Sequence, residues 1–249
     1  MRAIRAERVH IEGGGAASAS DTICVARPVR PYRHAMASAR RGGRAWEADL
    51  AIHELVDASK ASWADLRHRV LLHHVDLGAD VVARAFPERA DARALVRAHV
   101  REDLGVGRAL ADWLATLDTS RLPRRRARDL DAIVEDERRR VRLADHDAPR
   151  EVLALLQLPL AHAPEHREAA EVLFANEAGI ALVRRVLGPP RRLVGEHGRE
   201  VVFDPAYCAE AIVHRLHRRI PSLRELGEAF DPREALRRSL SPRPMEHVS

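Results

Sequence analysis

One lysine stands among 42 basic side chains, and it lies inside the densest run of ionisable groups in the chain. The run reads His53-Glu-Leu-Val-Asp57-Ala-Ser59-Lys60, then Asp65-Leu-Arg67-His68-Arg69, then His73-His74. A second cluster follows at His99-Val-Arg-Glu102-Asp103-Leu-Gly105. Imidazoles mixed with carboxylates suit Zn, Mn or Fe better than Mg, so His53, Asp57, His68, His99, Glu102 and Asp103 are the candidate metal ligands. An ammonium can give up its proton when buried, whereas a guanidinium cannot. Lys60 is therefore the candidate proton donor, and Asp65, Arg67 and His73 are the other candidate catalytic groups. A plainer reading of the same residues is an internal ion pair, Asp57 with Lys60 or Arg67, beside core histidines bonded to backbone. The lone lysine also admits a trivial origin, because arginine-saturated, alanine-rich text fits a GC-biased genome.

Positioning these groups falls to helices. From about Trp46 the text is Ala/Leu/Arg/Glu-rich with few β-branched runs, which favours helix. The pattern predicts helices over 46–57 and 59–86, the second capped by Asp57 or Ser59 and stopped before Pro87. A third is expected over 90–103, ending at Gly105 as a left-handed stop, and a short fourth over 108–117. On a helix spanning 53–86, His53, Asp57, Lys60, Ala64 and His68 fall on one stripe that Leu71, Val75, Ala79, Val82 and Phe86 continue. The ionisable groups thus lie on a face that becomes buried, where charge must pair, hydrogen-bond or hold a metal. A straight helix would separate His53 from His68 by about 22 Å. A shared site therefore needs a break at Asp57-Ala58-Ser59 or ligands from another helix. The second contributor is the His99, Glu102, Asp103 face. Its carboxylates sit near a helix C-terminus, where negative charge is disfavoured and a cation would relieve it. Adjacent His73 and His74 point about 100° apart on a helix, so at most one faces the stripe.

Residues 1–29, with Gly13-Gly14-Gly15, read as a flexible arm with one short strand near Ile23 to Val25. Residues 30–118 form a His/Asp-rich domain of about four helices, and 119–149 a basic linker followed by an exposed helix to about Leu143. Residues 150–249 form a smaller α domain, with helices at 150–157 and 166–187 and a β-hairpin near 192–203. Asp204-Pro205 then opens another helix, Asp as N-cap and Pro at the first position, and the tail after Pro242 is loose. The expected fold class is mainly α, in two parts with one hairpin.

The chain has 249 residues, enough for one large or two small cored domains. No apolar run approaches the ~18 residues of a membrane span, and the first residues lack the apolar stretch of a secretory signal. Cys24 and Cys208 fit no paired spacing and read as free thiols in a cytoplasmic protein. The net charge of +5 gives weak support for nucleic acid, since only nine aromatics are present and most arginines alternate with acids. The exception is Arg124-Arg125-Arg126-Ala-Arg128, which could grip phosphates or serve as a solvated linker. The chain could also form a homo-oligomer.

The ordered motifs Pro31-Tyr32-Arg33-His34-Ala35, His53, Asp57-Ala-Ser59-Lys60, Asp65-Leu-Arg67-His68-Arg69, His73-His74, His99-Val-Arg-Glu102-Asp103-Leu-Gly105 and Asp112-Trp113 together resemble an uncharacterised family of small bacterial and phage proteins. That family is classified only as a domain of unknown function. Its pattern opens His-Pro-Tyr-His-His-Ala; here Arg30 and Arg33 replace two of those histidines, so any ligand role at those two positions is lost. The resemblance covers residues 31–118 and implies a compact helical domain rich in His and acids, with no named reaction. The cluster is also loosely similar to HD-type phosphohydrolases, although the adjacent His-Asp pair occurs only as His146-Asp147. Arg67 to His73 and Arg69 to His74 match the Arg-to-His spacing of metal-free, all-helical HEPN-type ribonucleases. Three functional expectations result: a metal-dependent phosphohydrolase, a non-enzymatic scaffold or binding module with a structural polar cluster, and a HEPN-like ribonuclease.

Overall fold

The computed structural model describes residues 31–43, 45–61, 66–105, 107–122, 129–217 and 219–230. The arm over 1–29 with Cys24, Asp65, the block Arg124, Arg125, Arg126 and Arg128, and the tail after Pro242 lie outside them. Pro31 opens α1 (Pro31–Gly42), where its missing N–H costs nothing. No helix was expected there; the first predicted helix, over 46–57, is α2 (Glu47–Val56). Asp57 ends it, and a 3-10 turn follows at Ala58–Ala61.

The single helix expected over 59–86 is not formed. It is replaced by that turn, a second 3-10 turn at Leu66–His68, α3 (Arg69–Leu72) and α4 (Leu77–Ala85). Asp76 causes the last break by accepting from Leu77 N at 2.7 Å as N-cap of α4, while also accepting from Leu110 N at 3.1 Å. Gly78 permits the tight return, since a Cβ there would stand 2.0 Å from the Leu72 carbonyl oxygen. Ser59 does not cap a helix; its hydroxyl donates to the His68 carbonyl at 2.7 Å and draws the two 3-10 turns together.

Next come α5 (Ala92–Leu104), stopped by Gly105 at φ +73° as expected, and α6 (Leu110–Leu114). Beyond these run α7 (Leu130–Val141), α8 (Asp147–Leu156), α9 (Leu158–His162), α10 (Arg167–Leu173) and α11 (Glu177–Leu187). The helix expected over 166–187 is thus also cut in two. Asn176 caps α11 through Ala178 N at 2.9 Å, and a Cβ on Gly179 would lie 1.7 Å from the Phe174 carbonyl oxygen. Both breaks use the same device, an Asx N-cap followed by a glycine that lets the new helix start against a carbonyl at the end of the old one.

The predicted hairpin is β1 (Arg191–Val194) paired antiparallel with β2 (Glu200–Phe203), Arg191 opposite Phe203 and Val194 opposite Glu200. Asp204 and Pro205 open α12 (Pro205–Leu216) as predicted, and α13 (Leu223–Ala229) closes the described chain. The fold is mainly α with one hairpin. Buried apolar side chains from Ile52 to Phe230 form one continuous core. Cys208 is buried as a free thiol, and burial pushes it up to about 12. No described helix is long and apolar enough to cross a membrane.

Candidate metal centre

Helices α1, α2 and α5 pack against one another, and the polar groups lie where they meet. On α5, His99 and Asp103 are one turn apart and share a face. Asp57 arrives from the end of α2. His73 arrives from the break between α3 and α4, and α1 contributes His34, Ser38 and Arg41. Arg89, between α4 and α5, braces this arrangement through Asp49 of α2 at 2.7 Å.

Four groups converge: Asp57, His73, His99 and Asp103 each offer one ligand atom, all within 4.8 Å of one another. His73 Nε2 lies 3.3 Å from Asp57 Oδ1 and 3.2 Å from Asp103 Oδ2. His99 Nε2 lies 3.2 Å from His73 Nε2, 3.6 Å from Asp57 Oδ1 and 3.7 Å from Asp103 Oδ2. An ion with bonds of about 2.1 Å to tetrahedral ligands separates those ligands by about 3.4 Å, so the spacing fits a small cation. The donor set fits as well, being two imidazole nitrogens and two carboxylate oxygens. Asp57 Oδ2 is buried and has no hydrogen-bond partner among the described residues. The cluster can therefore hold a metal ion.

Cations already attend the carboxylates. Lys60 Nζ lies 2.6 Å from Asp57 Oδ1, with its side chain 22% exposed. Arg69, buried, places Nη2 3.7 Å from Asp103 Oδ2. His34 Nε2 contacts Asp103 Oδ1 at 3.1 Å and its Nδ1 contacts Glu102 Oε2 at 2.7 Å. Arg41 Nη1 meets the other Glu102 oxygen at 2.6 Å. Behind His99, its Nδ1 faces His53 Nδ1 at 2.8 Å, and His53 Nε2 faces Ser38 Oγ at 3.1 Å.

These contacts set the protonation states. Burial alone would raise the Asp57 carboxyl, but contacts with His73 and His99 outweigh it and hold it well below the usual carboxylate range. Burial is outweighed at Asp103 in the same way, by His34 and His73. Burial and then the neighbouring His99 and His34 rings push His53 down to about 3. Burial dominates at His99 too, bringing it to about 4 against the pull of Asp57. At His34, burial works downward and is exceeded by Asp103 and Glu102, so that ring is raised. Two ionised carboxylates thus face an unprotonated His99 at neutral pH.

Residues 29–122 match the family described as Domain of unknown function (DUF6915). No curated protein and no solved structure matches the chain. The matched stretch takes in the motifs that carry the resemblance seen in the sequence, and all four converging residues lie within it.

Of the six candidate ligands, Asp57, His99 and Asp103 supply converging atoms. His53 stands behind His99 rather than beside it. Glu102 sits outside, shared by Arg41 and His34. His68 lies edge-on to His73, ring centroids 5.1 Å apart. Of the candidate catalytic groups, His73 belongs to the converging set and Lys60 pairs with Asp57, whereas Arg67 reaches the Gly227 carbonyl at 3.4 Å. The expected stripe does not form, because the helix that would carry it ends at Val56. Of the HEPN-like pairs, Arg67 is half-buried and Arg69 is 6% exposed, while both His73 and His74 are fully covered. His34, Ser38, Arg41 and Arg69 were not among the candidate site residues. His34 and Arg69 had a signal, since both stand in the ordered motifs; Ser38 and Arg41 had none.

Proposed function

We propose that this chain binds one divalent transition-metal ion of the Zn, Mn or Fe class through Asp57, His73, His99 and Asp103. The observation that carries the reading is the convergence of four ligand atoms from three separate stretches, with both imidazoles presenting Nε2 to the same two carboxylates. Purified full-length protein, equilibrated in turn with Zn(II), Mn(II) and Fe(II) and then desalted, should retain one of them near one ion per chain by elemental analysis. The double variant Asp57→Asn/His99→Gln should retain none. Metal contents near zero for the parent with all three ions would sink the reading and leave a metal-free polar cluster in its place, a view that the pairing of Lys60 and Arg69 with the same carboxylates supports.

A second reading, hydrolysis, is favoured by one further observation. Lys60 places a proton-bearing group 2.6 Å from Asp57 while remaining partly open to solvent. A bound ion of this class supplies an acidified water and polarises an ester or phosphate oxygen. Around it, Asp57 and Asp103 would hold negative charge at the centre, Lys60 would exchange protons with solvent, and Arg69 would hold Asp103 in place. Metal-dependent turnover of generic phosphomonoesters or phosphodiesters by the parent, lost in Lys60→Met, is the expected result. A chelator that lowers Tm in a protein with no turnover on either class would instead assign the ion a structural role.

A further inference from the structure

The contact between His53 and His99 puts two Nδ1 atoms 2.8 Å apart. Two N–H groups cannot point at each other at that distance, so one ring donates and the other presents a bare nitrogen. Two arrangements satisfy this, and the far nitrogens decide between them. If His53 donated, His99 Nδ1 would be bare and its proton would sit on Nε2. That Nε2 lies 3.6 and 3.7 Å from the nearest carboxylate oxygens, beyond hydrogen-bond reach. Its remaining neighbour is His73 Nε2 at 3.2 Å, which itself faces Asp103 Oδ2 at 3.2 Å as a donor. A proton on His99 Nε2 would therefore have no good acceptor.

The opposite arrangement gives both ring protons an acceptor. His99 Nδ1–H donates to bare His53 Nδ1, His53 Nε2–H donates to Ser38 Oγ at 3.1 Å, and Ser38 also accepts from Arg41 Nη2 at 3.4 Å. His99 Nε2 is then a bare lone pair turned toward Asp57, His73 and Asp103. His73 has no comparable support, for its Nδ1 is buried without a hydrogen-bond partner among the described residues.

We infer that His53 is a positioning residue: with Ser38 it fixes His99 as the Nδ1–H tautomer, so that the Nε2 lone pair faces the centre. The inference rests on the metal-binding reading for its purpose, and the tautomer itself can be tested without metal. Outer groups that hold a ligand ring in this way typically change metal affinity by about 10–100-fold when removed.

The test uses the full chain, 15N-labelled at histidine and free of metal. Long-range 1H–15N correlation should show His99 protonated at Nδ1 and bare at Nε2, and His53 protonated at Nε2. Co(II), whose visible absorption reports ligation, then serves as the probe for His53→Leu and His53→Gln. Leucine fills the space without accepting a proton, so Co(II) affinity should fall about 10–100-fold; glutamine offers an acceptor to His99 and a donor to Ser38, so affinity should stay within about threefold of the parent. Parent spectra with His99 protonated at Nε2 overturn the inference, as does a folded His53→Leu that binds Co(II) as tightly as the parent. A parent that binds no Co(II) overturns the metal reading instead, and the tautomer spectra alone then decide the role of His53.

Discussion

Two buried carboxylates, Asp103 on α5 and Glu137 on α7, solve the same problem in different ways. Glu137 is fully buried and carries two arginines, Arg140 at 2.6 Å and Arg215. Both arginine side chains stay partly exposed, at 32% and 26%, so their charge drains toward solvent along long apolar stems. Asp103 is met by His34, His73 and Arg69, each 7% exposed or less as a side chain. None of those three partners leads the charge outward, and a second buried carboxylate, Asp57, shares the His73 and His99 rings with Asp103. Burying a carboxylate is thus ordinary when its partners reach water. Burying two around shared imidazoles is costly, and it is the arrangement that a cation would stabilise.

The comparison breaks most directly at the carboxylates themselves. Asp103→Asn keeps the shape and removes the charge, leaving Arg69 buried without this carboxylate and His34 with Glu102 alone, and should cost about 3–5 kcal/mol. It should also abolish metal retention. Glu137→Gln should cost less, about 1–3 kcal/mol, because Arg140 and Arg215 can turn to water, and it should leave metal content unchanged. Urea melts with elemental analysis on both variants check this; equal losses of metal would erase the distinction between the two regions.

Acid should expose the same contrast more gently. His53 and His99 are pushed from 6.5 to about 3 and about 4 in the folded chain, so the unfolded chain binds more protons below pH 6.5. Their contribution is complete above pH 6.5 and is lost as the pH falls toward 4 and then 3. Asp57 and Asp103 act in the same direction at lower pH, since their folded values lie below the ordinary carboxylate range. His34, being raised, acts oppositely: its contribution is present below 6.5 and fades as pH rises through its folded value. At pH 5, each depressed ring taken alone should cost about 2 kcal/mol relative to neutral pH. The urea midpoint of metal-free protein should therefore drop between about pH 7.5 and about pH 5. Glu137→Gln should preserve that slope because arginines do not titrate there, and a flat parent profile would show that the imidazoles are not held neutral by burial.

The smallest effect expected is at the lone lysine. Lys60→Arg must place a planar fork where a point charge now meets Asp57 at 2.6 Å. Because the lysine is partly exposed, the loss should be about 1 kcal/mol. Arg139→Lys, on a side chain 68% exposed against Glu135, should shift Tm hardly at all. Melts of Lys60→Arg and the parent that superimpose would make the lysine an accident of codon usage.

Much of this was legible in one dimension. Helix content, the stop at Gly105, the Asp204-Pro205 start and the hairpin follow from local rules, because caps, prolines and alternating apolar pairs act within a few residues. The spacing of His99 and Asp103 placed them on one face for the same reason. The breaks at 73–76 and 174–176 were written there too, as Asp76-Leu-Gly78 and Asn176-Glu-Ala-Gly179, but apolar periodicity running through them reads as one helix unless cap and glycine are taken together.

What the tertiary structure alone decided is which faces meet. His34 reaches Glu102 across 68 positions, His53 reaches His99 across 46, and His99 reaches His73 across 26. Periodicity orients a side chain about its own helix axis and says nothing of the partner opposite. So the sequence could name His53 and His73 as chemically able, yet only packing turned His53 toward the back of His99 and His73 toward the carboxylates. The break before α4 moved His73 into the centre, and the docking of α1 brought in His34 and Ser38, because both depend on contacts between distant stretches that no local pattern encodes.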